Sequence, residues 1–317
     1  MSYKIFIDGE AGTTGLQVRD RLIAHPDVEL ITIDHDLRKD AATRRQAMAA
    51  ADAAILCLPD EAAIEAVQLA EGLAVKIIDA STAFRTHPDW AYGFPELDDA
   101  QRGMIAGSRR VANVGCYATA MIALIRPLVD GGMISPDAPL NISAISGYTG
   151  GGKALISYMD NNDGPRHFAY ALNLAHKHIP EVMMHARLDR KPTFLPMVGD
   201  FDCGMLVQLP LTSAQLKPGA RRRDLHDVYS AHYADEAFIR VRGLDEGDGL
   251  TDKGYLAADA LKGTNMLDIH TLGYDDGDDQ HQVMMVARLD NLGKGASGAA
   301  VQNLNLVLGL DETTGLL

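Results

Sequence analysis

Short apolar strands alternate with helical segments over the first eighty residues, and this alternation is the strongest constraint on the fold. The near-continuous apolar runs lie at residues 3–8, 28–34, 53–59 and 74–80. Helical patterns at residues 16–24 and 61–69 separate them. Because a strand, a helix and a second strand in succession form a right-handed crossover between parallel strands, the sequence predicts an α/β protein that begins with a parallel sheet.

A glycine-rich turn follows the first predicted strand and leads into the first predicted helix. The turn reads Gly9-Glu10-Ala11-Gly12-Thr13-Thr14-Gly15. In this position the backbone can approach a pyrophosphate closely and present N–H groups at the helix N-terminus. We therefore predict that Gly9, Gly12, Thr13, Thr14 and Gly15 bind a dinucleotide. The glycines depart from the usual dinucleotide spacing, so a purely structural turn is the alternative.

Charged residues after the second predicted strand bear on the choice of cofactor. Asp34 lies where an acidic side chain would bind the ribose 2′-hydroxyl of NAD, whereas Arg38 and Lys39 would neutralise the 2′-phosphate of NADP. The two cations favour NADP. The alternative is that they are solvated loop charges.

The sequence pattern changes after residue 115. Longer strands, several with alternating polarity, are predicted at residues 141–146, 204–210, 239–241, 266–272 and 282–289. The clearest helix of this part lies within residues 213–231, and another is predicted in the tail at residues 295–309. This pattern is typical of a mostly antiparallel sheet with helices on one face. We expect two domains, residues 1–115 with 291–317 and residues 116–290. The acidic segment 275–279 is expected to be a solvated hairpin loop, with a calcium loop as the alternative.

A cysteine lies at the start of a strongly apolar helical segment. The sequence Gly115-Cys116-Tyr117-Ala118-Thr119 opens directly into residues 120–125, which are all apolar. A helix N-terminus stabilises a thiolate, because its unpaired N–H groups and the positive end of the helix dipole favour negative charge. Cys116 is therefore predicted to be a nucleophile, with a buried structural cysteine as the alternative.

A histidine-rich motif is the second polar cluster with catalytic potential. It reads His176-Lys177-His178-Ile179-Pro180-Glu181. An imidazole near a thiol can exchange protons with it and with an alkoxide, so His176 is predicted to be the acid/base residue. Two histidines and a glutamate also suggest zinc, but no fourth ligand is evident and we predict no metal.

Two further segments are rich in glycine or small residues. Residues 146–153 include Ser146, Gly147 and Lys153, which we predict to bind an anionic group of the substrate; a mobile connection is the alternative. Residues 290–300 contain Asn291 and many small residues, which would let the backbone approach a flat ligand such as nicotinamide.

Composition excludes several classes of function. The formal net charge of −14 argues against binding of nucleic acid or an anionic membrane through bulk electrostatics. The three cysteines, Cys57, Cys116 and Cys203, form no disulfide framework and suit a reducing compartment. The first residues have no basic-then-apolar leader, and no apolar run is long enough to span a bilayer. We expect a cytoplasmic protein that does not bind membranes.

Four blocks, taken in order, closely resemble the N-acetyl-γ-glutamyl-phosphate reductases in their shorter bacterial form. They are the turn at residues 9–15, the Cys116 turn, the motif at residues 176–181 and the tail at residues 294–303. The resemblance covers essentially the whole chain. It departs at Val114 and Ala118, where the family often has proline, and at Lys177, where arginine is common.

The resemblance implies a Rossmann domain that binds NADP and a glyceraldehyde-phosphate-dehydrogenase-like α+β domain for catalysis and oligomerisation. It implies reduction of an acyl phosphate by NADPH, in arginine biosynthesis, by a homodimer or homotetramer. Cys116 matches the nucleophile and His176 the acid/base. Asn291 is expected to contact the cofactor. The substrate is expected to contact Arg85, Arg110, Ser146, Gly147, Lys153, His178 and Glu181.

Two other functions remain open at this point. Aspartate-semialdehyde or glyceraldehyde-phosphate dehydrogenase would share the thiol and the fold but differ in the histidine motif and the substrate cations. A nucleotide-binding sensor without catalysis would keep the glycine turn but have no need of Cys116 with His176. The reactivity of the thiol separates the enzymes from the sensor.

Overall fold

The chain divides into two units, one formed by Met1–Gly115 together with Gly295–Leu317 and the other by Cys116–Lys294. A computed structural model describes residues 2–161, 164–245, 247–273 and 281–317. Residues 291–294, expected with the first domain, fall in the second unit. The acidic segment 275–279 lies outside the described residues.

The first unit contains the predicted parallel sheet. Its strands are β1 (Tyr3–Asp8), β2 (Val28–Ile31), β3 (Ala53–Leu56), β4 (Lys76–Asp79), β5 (Ala91–Gly93) and β6 (Arg110–Asn113). They form one sheet in the order β2-β1-β3-β4-β6-β5, and each neighbouring pair is parallel. The central strand β3 is buried along its whole length, as expected for a sheet covered on both faces. The Rossmann-like fold predicted for this part is confirmed.

Four helices connect these strands. They are α1 (Thr13–Ile23), α2 (Ala41–Ala50), α3 (Asp60–Leu69) and α4 (Gln101–Gly107). Local sequence accounts for where two of them begin. The Asp40 carboxylate accepts from the Thr43 backbone N–H at 2.7 Å and caps α2. Pro59 precedes α3 and so ends the apolar run of β3, while acidic residues occupy the first helical turn.

The second unit is built on a seven-stranded mixed sheet. Its strands are β7 (Asn141–Gly147), β8 (Phe168–Ala169), β9 (Thr193–Gly199), β10 (Met205–Thr212), β11 (Ile239–Val241), β12 (Leu267–Gly273) and β13 (Gln282–Leu289). The order is β11-β12-β13-β10-β7-β9-β8. Four neighbouring pairs are antiparallel, whereas β7 with β9 and β11 with β12 are parallel. The sheet is therefore mostly antiparallel, as predicted.

A long buried helix occupies the core of the second unit. The helices are α5 (Cys116–Asp130), α6 (Gly152–Asp160), α7 (Ile179–His185) and α8 (Arg222–His232). In α5 every residue from Tyr117 to Leu128 is buried. Pro127 lies inside this helix and cannot donate to the carbonyl of Ala123, four residues earlier. The Tyr233 hydroxyl donates to that carbonyl at 2.9 Å, so a side chain just after α8 replaces the missing backbone bond. None of the helices within the described ranges is long and apolar enough to cross a membrane.

The last helix, α9 (Gly298–Leu308), belongs to the first unit. The amide of its buried Asn303 donates to the backbone carbonyl of Gly93 and to the side-chain oxygen of Asn113, each at 2.9 Å. A side chain at Gly93 would collide with Asn303, since a Cβ there would lie 2.4 Å from its amide nitrogen. Helix α9 thus links the end of β5 to the end of β6 through hydrogen bonds.

Three arginines surround one fully buried carboxylate in the second unit. Asp268 accepts from Arg240 at 2.8 Å, from Arg242 at 2.9 Å and from Arg288 at 2.8 Å. The cross-strand register places Asp268 beside Arg240 on β11 and beside Arg288 on β13. Arg288 also donates to the Gly249 carbonyl at 3.0 Å, so the cluster ties the segment after β11 to the sheet.

Replacing this carboxylate tests its structural importance. Asp268→Asn should lower the free energy of unfolding by about 3–5 kcal/mol, because the guanidinium groups remain in place without their counter-charge. Urea unfolding at neutral pH measures the change. The matched control is Asp200→Asn, which breaks the 2.6 Å ion pair with Arg166 between half-exposed side chains and should change stability far less. Equal effects would show that burial does not amplify the Asp268 interactions.

Candidate active site

The glycine turn after β1 is narrow enough to bring its backbone against a phosphate. Gly9 has a φ of +89°, and a Cβ there would lie 2.3 Å from the carbonyl oxygen of Cys57. A Cβ at Gly15 would lie 2.4 Å from the carbonyl oxygen of Gly9. The first bond of α1 runs from the Leu16 N–H to the Gly12 carbonyl at 2.9 Å. The N–H groups of residues 13–15 precede that bond, as at other phosphate-binding helix N-termini. These residues fit a bound dinucleotide.

The residues expected to select the cofactor lie in a short helical turn after β2. Strand β2 ends at Ile31 rather than at residue 34, and a 3-10 turn spans His35–Leu37. Arg38 and Lys39 are exposed, and the Arg38 guanidinium contacts the His35 ring. Asp34 immediately precedes the turn.

Sequence reasoning missed one buried cation beside the glycine turn. Arg44 of α2 donates to the Asp8 carboxylate at the end of β1 at 3.0 Å and pairs with Glu65 of α3 at 3.3 Å. Burial raises the pKa of Asp8, and the Arg44 guanidinium opposes that shift. Nothing in the spacing of these three residues indicates the contact, because they lie on different elements.

Cys116 is the first residue of α5 and is half-buried. Its position places the thiol at the N-terminus of a 15-residue helix, where negative charge is stabilised. The other two cysteines differ from it in environment. Burial raises the pKa of Cys57 to about 12, and burial also raises the pKa of Cys203. Neither environment favours a thiolate at neutral pH.

Aromatic rings surround His176. The ring centroid of His176 lies 5.8 Å from that of Tyr117, 5.1 Å from that of Phe194 and 5.7 Å from that of Tyr170. Tyr117 directly follows Cys116 in α5, and its hydroxyl donates to the Met197 carbonyl at 3.1 Å. The charge of Cys116 contributes to raising the pKa of Tyr117, after the larger effect of burial. The structure therefore brings the predicted acid/base residue against the start of α5, where the predicted nucleophile lies.

Hydrogen bonds determine the tautomer of His176. The backbone N–H of His178 donates to Nδ1 of His176 at 3.2 Å, so Nδ1 carries a lone pair and the neutral ring carries its proton on Nε2. Burial, with a smaller contribution from the nearby Lys177 charge, lowers the pKa of His176 to about 4. At neutral pH the ring is an uncharged donor through Nε2.

The predicted anion-binding loop lies at the end of β7. Ser146 and Gly147 end the strand, and a Cβ at Gly147 would lie 2.3 Å from the Asp202 carbonyl oxygen. The chain then turns and forms α6, with Lys153 exposed in its first turn. Asn291 accepts from the Gly204 N–H at 2.7 Å and donates to the Thr149 hydroxyl at 3.1 Å, so it holds this turn against the start of β10.

The remaining predicted substrate residues have different surroundings. Arg85 is buried in the first unit and donates to the carbonyl of Asn113 at 2.9 Å, close before Cys116 in the chain. Arg110 is exposed at the opposite end of β6, with its guanidinium 5.9 Å from the Trp90 ring centroid. His178 and Glu181 are both buried around the start of α7. The His178 ring centroid lies 4.8 Å from that of His176.

The fold and this site together define a dehydrogenase of the semialdehyde class. Residues 116–291 match a family model described as the semialdehyde dehydrogenase dimerisation domain, and residues 32–103 match its NAD-binding domain. Solved structures agree on the fold. An aspartate semialdehyde dehydrogenase II from Vibrio cholerae is 14% identical with a TM-score of 0.70 over 98% of this chain and 99% of that one. The aspartate semialdehyde dehydrogenase of Francisella tularensis is 15% identical with a TM-score of 0.72 over 96% of this chain and 100% of that one.

Curated relatives narrow the class further. N-acetyl-γ-glutamyl-phosphate reductases from Brucella ovis and Brucella canis are each 50% identical to this chain over 315 residues, which cover 98% of this chain and all of each relative. The chain belongs to the N-acetyl-γ-glutamyl-phosphate reductase family. The resemblance carried by the four sequence blocks is thereby confirmed.

The lowered pKa of His176 predicts how stability depends on pH. An unfolded histidine binds a proton near pH 6.5, whereas folded His176 binds one only near pH 4. Between these values the unfolded state holds the extra proton, so stability falls as the pH decreases from 6.5 to 4. His176→Asn removes this contribution. The loss of unfolding free energy between pH 7 and pH 4.5, measured by urea denaturation, should be smaller in the variant. His270, whose pKa burial also lowers to about 4, contributes equally to both proteins. Identical losses in the two proteins would contradict the prediction.

Proposed function

We propose that this chain reduces N-acetyl-γ-glutamyl phosphate to N-acetylglutamate 5-semialdehyde and phosphate with NADPH, in arginine biosynthesis. The name shared by relatives that are 50% identical over their entire length supports the substrate. The single structural observation that carries the mechanism is the cluster that places His176 beside Tyr117 at the start of α5, next to Cys116.

Cys116 starts the reaction as a nucleophile. Its thiolate attacks the acyl carbon, the bond from that carbon to the phosphate oxygen breaks, and phosphate leaves. The acyl group remains on sulfur as a thioester. The N-terminus of α5 stabilises the thiolate before attack and again when it is expelled.

The glycine turn at residues 9–15 would hold a nicotinamide cofactor, which would supply a hydride to the thioester carbon. The carbonyl oxygen then carries negative charge, and His176, neutral with its proton on Nε2, stabilises that charge through the hydrogen bonding of this proton. The intermediate collapses to the aldehyde and returns the electron pair of the carbon–sulfur bond to Cys116.

We propose NADPH rather than NADH as the reductant. Arg38 and Lys39 are exposed after β2, where they are available to a 2′-phosphate, while Asp34 favours the opposite choice. A 2′-phosphate carries nearly two negative charges, so charge-assisted hydrogen bonds to it outweigh one bond from a carboxylate to a hydroxyl.

We also propose that the chain forms a homodimer or homotetramer through the second unit. Register partners Leu195, Ser143 and Gln208 share one face of the sheet, and Leu195 is 50% exposed there. A second copy of the chain would cover this exposed leucine together with the polar side chains beside it. The family description of this unit as a dimerisation domain supports the same partner.

The compartment proposed is the cytoplasm. All three cysteines lie in described residues, and none is in a disulfide. This suits a reducing environment.

A direct assay tests the activity. The reverse reaction, with N-acetylglutamate 5-semialdehyde, phosphate and NADP, should reduce NADP only when phosphate is present. Aspartate semialdehyde in place of the N-acetylated substrate is the matched control and should react far more slowly. A preference for aspartate semialdehyde would overturn the proposed substrate.

Substitution of the two central residues tests the mechanism. Cys116→Ser should abolish reduction but leave NADPH binding nearly intact, because the serine hydroxyl stays protonated and the glycine turn is unchanged. His176→Asn should lower turnover by about 10²–10⁴, and His178→Asn should cost clearly less. Steady-state rates and fluorescence titration of NADPH measure both. Activity of Cys116→Ser within tenfold of the unmodified enzyme would exclude the nucleophile, and a reversed order of the histidines would exchange their roles.

Cofactor preference has its own test. Replacing Arg38 and Lys39 together by alanine should raise the KM for NADPH by about tenfold or more and leave that for NADH almost unchanged. The loss should shrink at high salt, because screening weakens the original contacts. Equal changes for both cofactors would show that the two residues only shape the loop.

A further inference from the structure

The hydroxyl of Tyr170 lies beside the Nε2 atom of the His176 ring. Tyr170 follows β8 directly, and its Oη is 3.3 Å from Nε2 of His176. The backbone N–H of Tyr170 donates to the Pro196 carbonyl at 3.2 Å, which anchors the residue to β9. No motif in the sequence indicates this tyrosine, which lies six residues before His176.

The direction of the hydrogen bonds follows from the tautomer. Nδ1 of His176 accepts from the His178 backbone, so the ring donates through Nε2 to the oxygen of Tyr170. Because that oxygen accepts, the hydroxyl hydrogen of Tyr170 is available to donate onward. A hydroxyl that already accepts one bond is a stronger donor in the next, since bonds in a chain polarise one another.

Cys116 begins the same cluster of side chains. Tyr117, the next residue of α5, and Tyr170 both pack edge-on against the His176 ring, with centroids 5.8 Å and 5.7 Å from it. Burial raises the pKa of Tyr170, and the charge of Cys116 raises it further. The phenol therefore stays protonated at neutral pH and keeps its hydrogen to donate.

The backbone between Tyr170 and His176 is held in an unfavourable conformation. Ala171 and Leu174 have φ values of 51° and 56°, in the left-handed region that residues with a side chain avoid. The Leu174 N–H donates to the Ala171 carbonyl at 2.9 Å and closes the turn. Such strain persists only where surrounding contacts enforce it, and it is concentrated at functional sites.

We propose that Tyr170 is a further catalytic residue, whose hydroxyl donates a hydrogen bond to the negative charge on the Cys116 sulfur and on the oxygen of the thioester-derived intermediate. His176 polarises that hydroxyl through Nε2 and acts through it. No proton leaves either side chain, so both remain neutral throughout the reaction. The hydrogen bond to the oxygen of the intermediate rests on the proposed function. The hydrogen bond to the Cys116 sulfur does not.

Tyr170→Phe removes the hydroxyl and keeps the ring. It should lower kcat by about 10²-fold or more, comparable with His176→Asn, with little change in KM for the acyl phosphate. In a His176→Asn background the same substitution should lower kcat by less than about threefold, because the two residues act in series. Tyr158→Phe is the matched control: its ring packs edge-on against Phe168, 6.3 Å between centroids, and its removal should leave kcat unchanged. A Tyr170→Phe enzyme within threefold of the unmodified one, or full additivity with His176→Asn, would overturn the proposal.

A second measurement needs no substrate. The rate of alkylation of Cys116 by iodoacetamide, followed against pH by mass spectrometry, reports its thiolate fraction; Cys57 and Cys203, with raised pKa values, label more slowly. Tyr170→Phe should shift the midpoint upward by about half a pH unit or more, because hydrogen bonds to a charged form favour it. An unchanged midpoint would overturn the hydrogen bond to sulfur. A shift in a protein that fails to reduce the acyl phosphate would uphold the hydrogen bond and reject the proposed function.

Discussion

The burial of α5 is the constraint on which the second unit depends. Cys116, the proposed nucleophile, is the first residue of a helix that is buried from Tyr117 to Leu128, so the packing of the core fixes the backbone that carries the thiol. Pro127 would leave the Ala123 carbonyl without a donor, and Tyr233 provides one. Arg126 donates to the His185 carbonyl at 2.9 Å and ties the same helix to α7, which begins at Ile179 within the histidine motif. Helix α5 therefore helps to fix both the backbone of Cys116 and, through its bond to α7, the segment that carries His176.

The parts of the fold that sequence predicts best are those where apolar residues form unbroken or alternating runs. The strands predicted at residues 3–8, 239–241 and 282–289 have those same bounds in the structure. Gly9 directly follows the first of these strands and leaves little choice for where it ends. The Cys116 turn and the histidine motif can be recognised for a different reason, because thiol and imidazole side chains are chemically distinctive. The grouping of His176 with Cys116 follows from the fold, which brings the two motifs together across sixty residues.

Other features could not be predicted, because they depend on contacts between distant segments. Strand β9 contains Pro196, which cannot donate to a ladder and argues against a strand in isolation, yet pairing with β7 and β8 enforces it. The glycines at residues 150–152 suggest a loop, but α6 begins within them at Gly152. The arginines around Asp268 come from two strands and a strand end, and only cross-strand register groups them. Tyr170 was missed for the same reason.

The interleaved order of the two units has a consequence for biosynthesis. A ribosome makes residues 2–115 first, but Asn303, which joins β5 to β6, is added only after the entire second unit has been translated. Until then strands β5 and β6 of the nascent sheet lack the hydrogen bonds that Asn303 donates to them. The second unit, by contrast, is continuous in sequence and can form all of its own contacts while the tail is still in the exit tunnel. Completion of the nucleotide-binding half is therefore delayed until the second unit has been translated, so that folding does not follow the order of the chain.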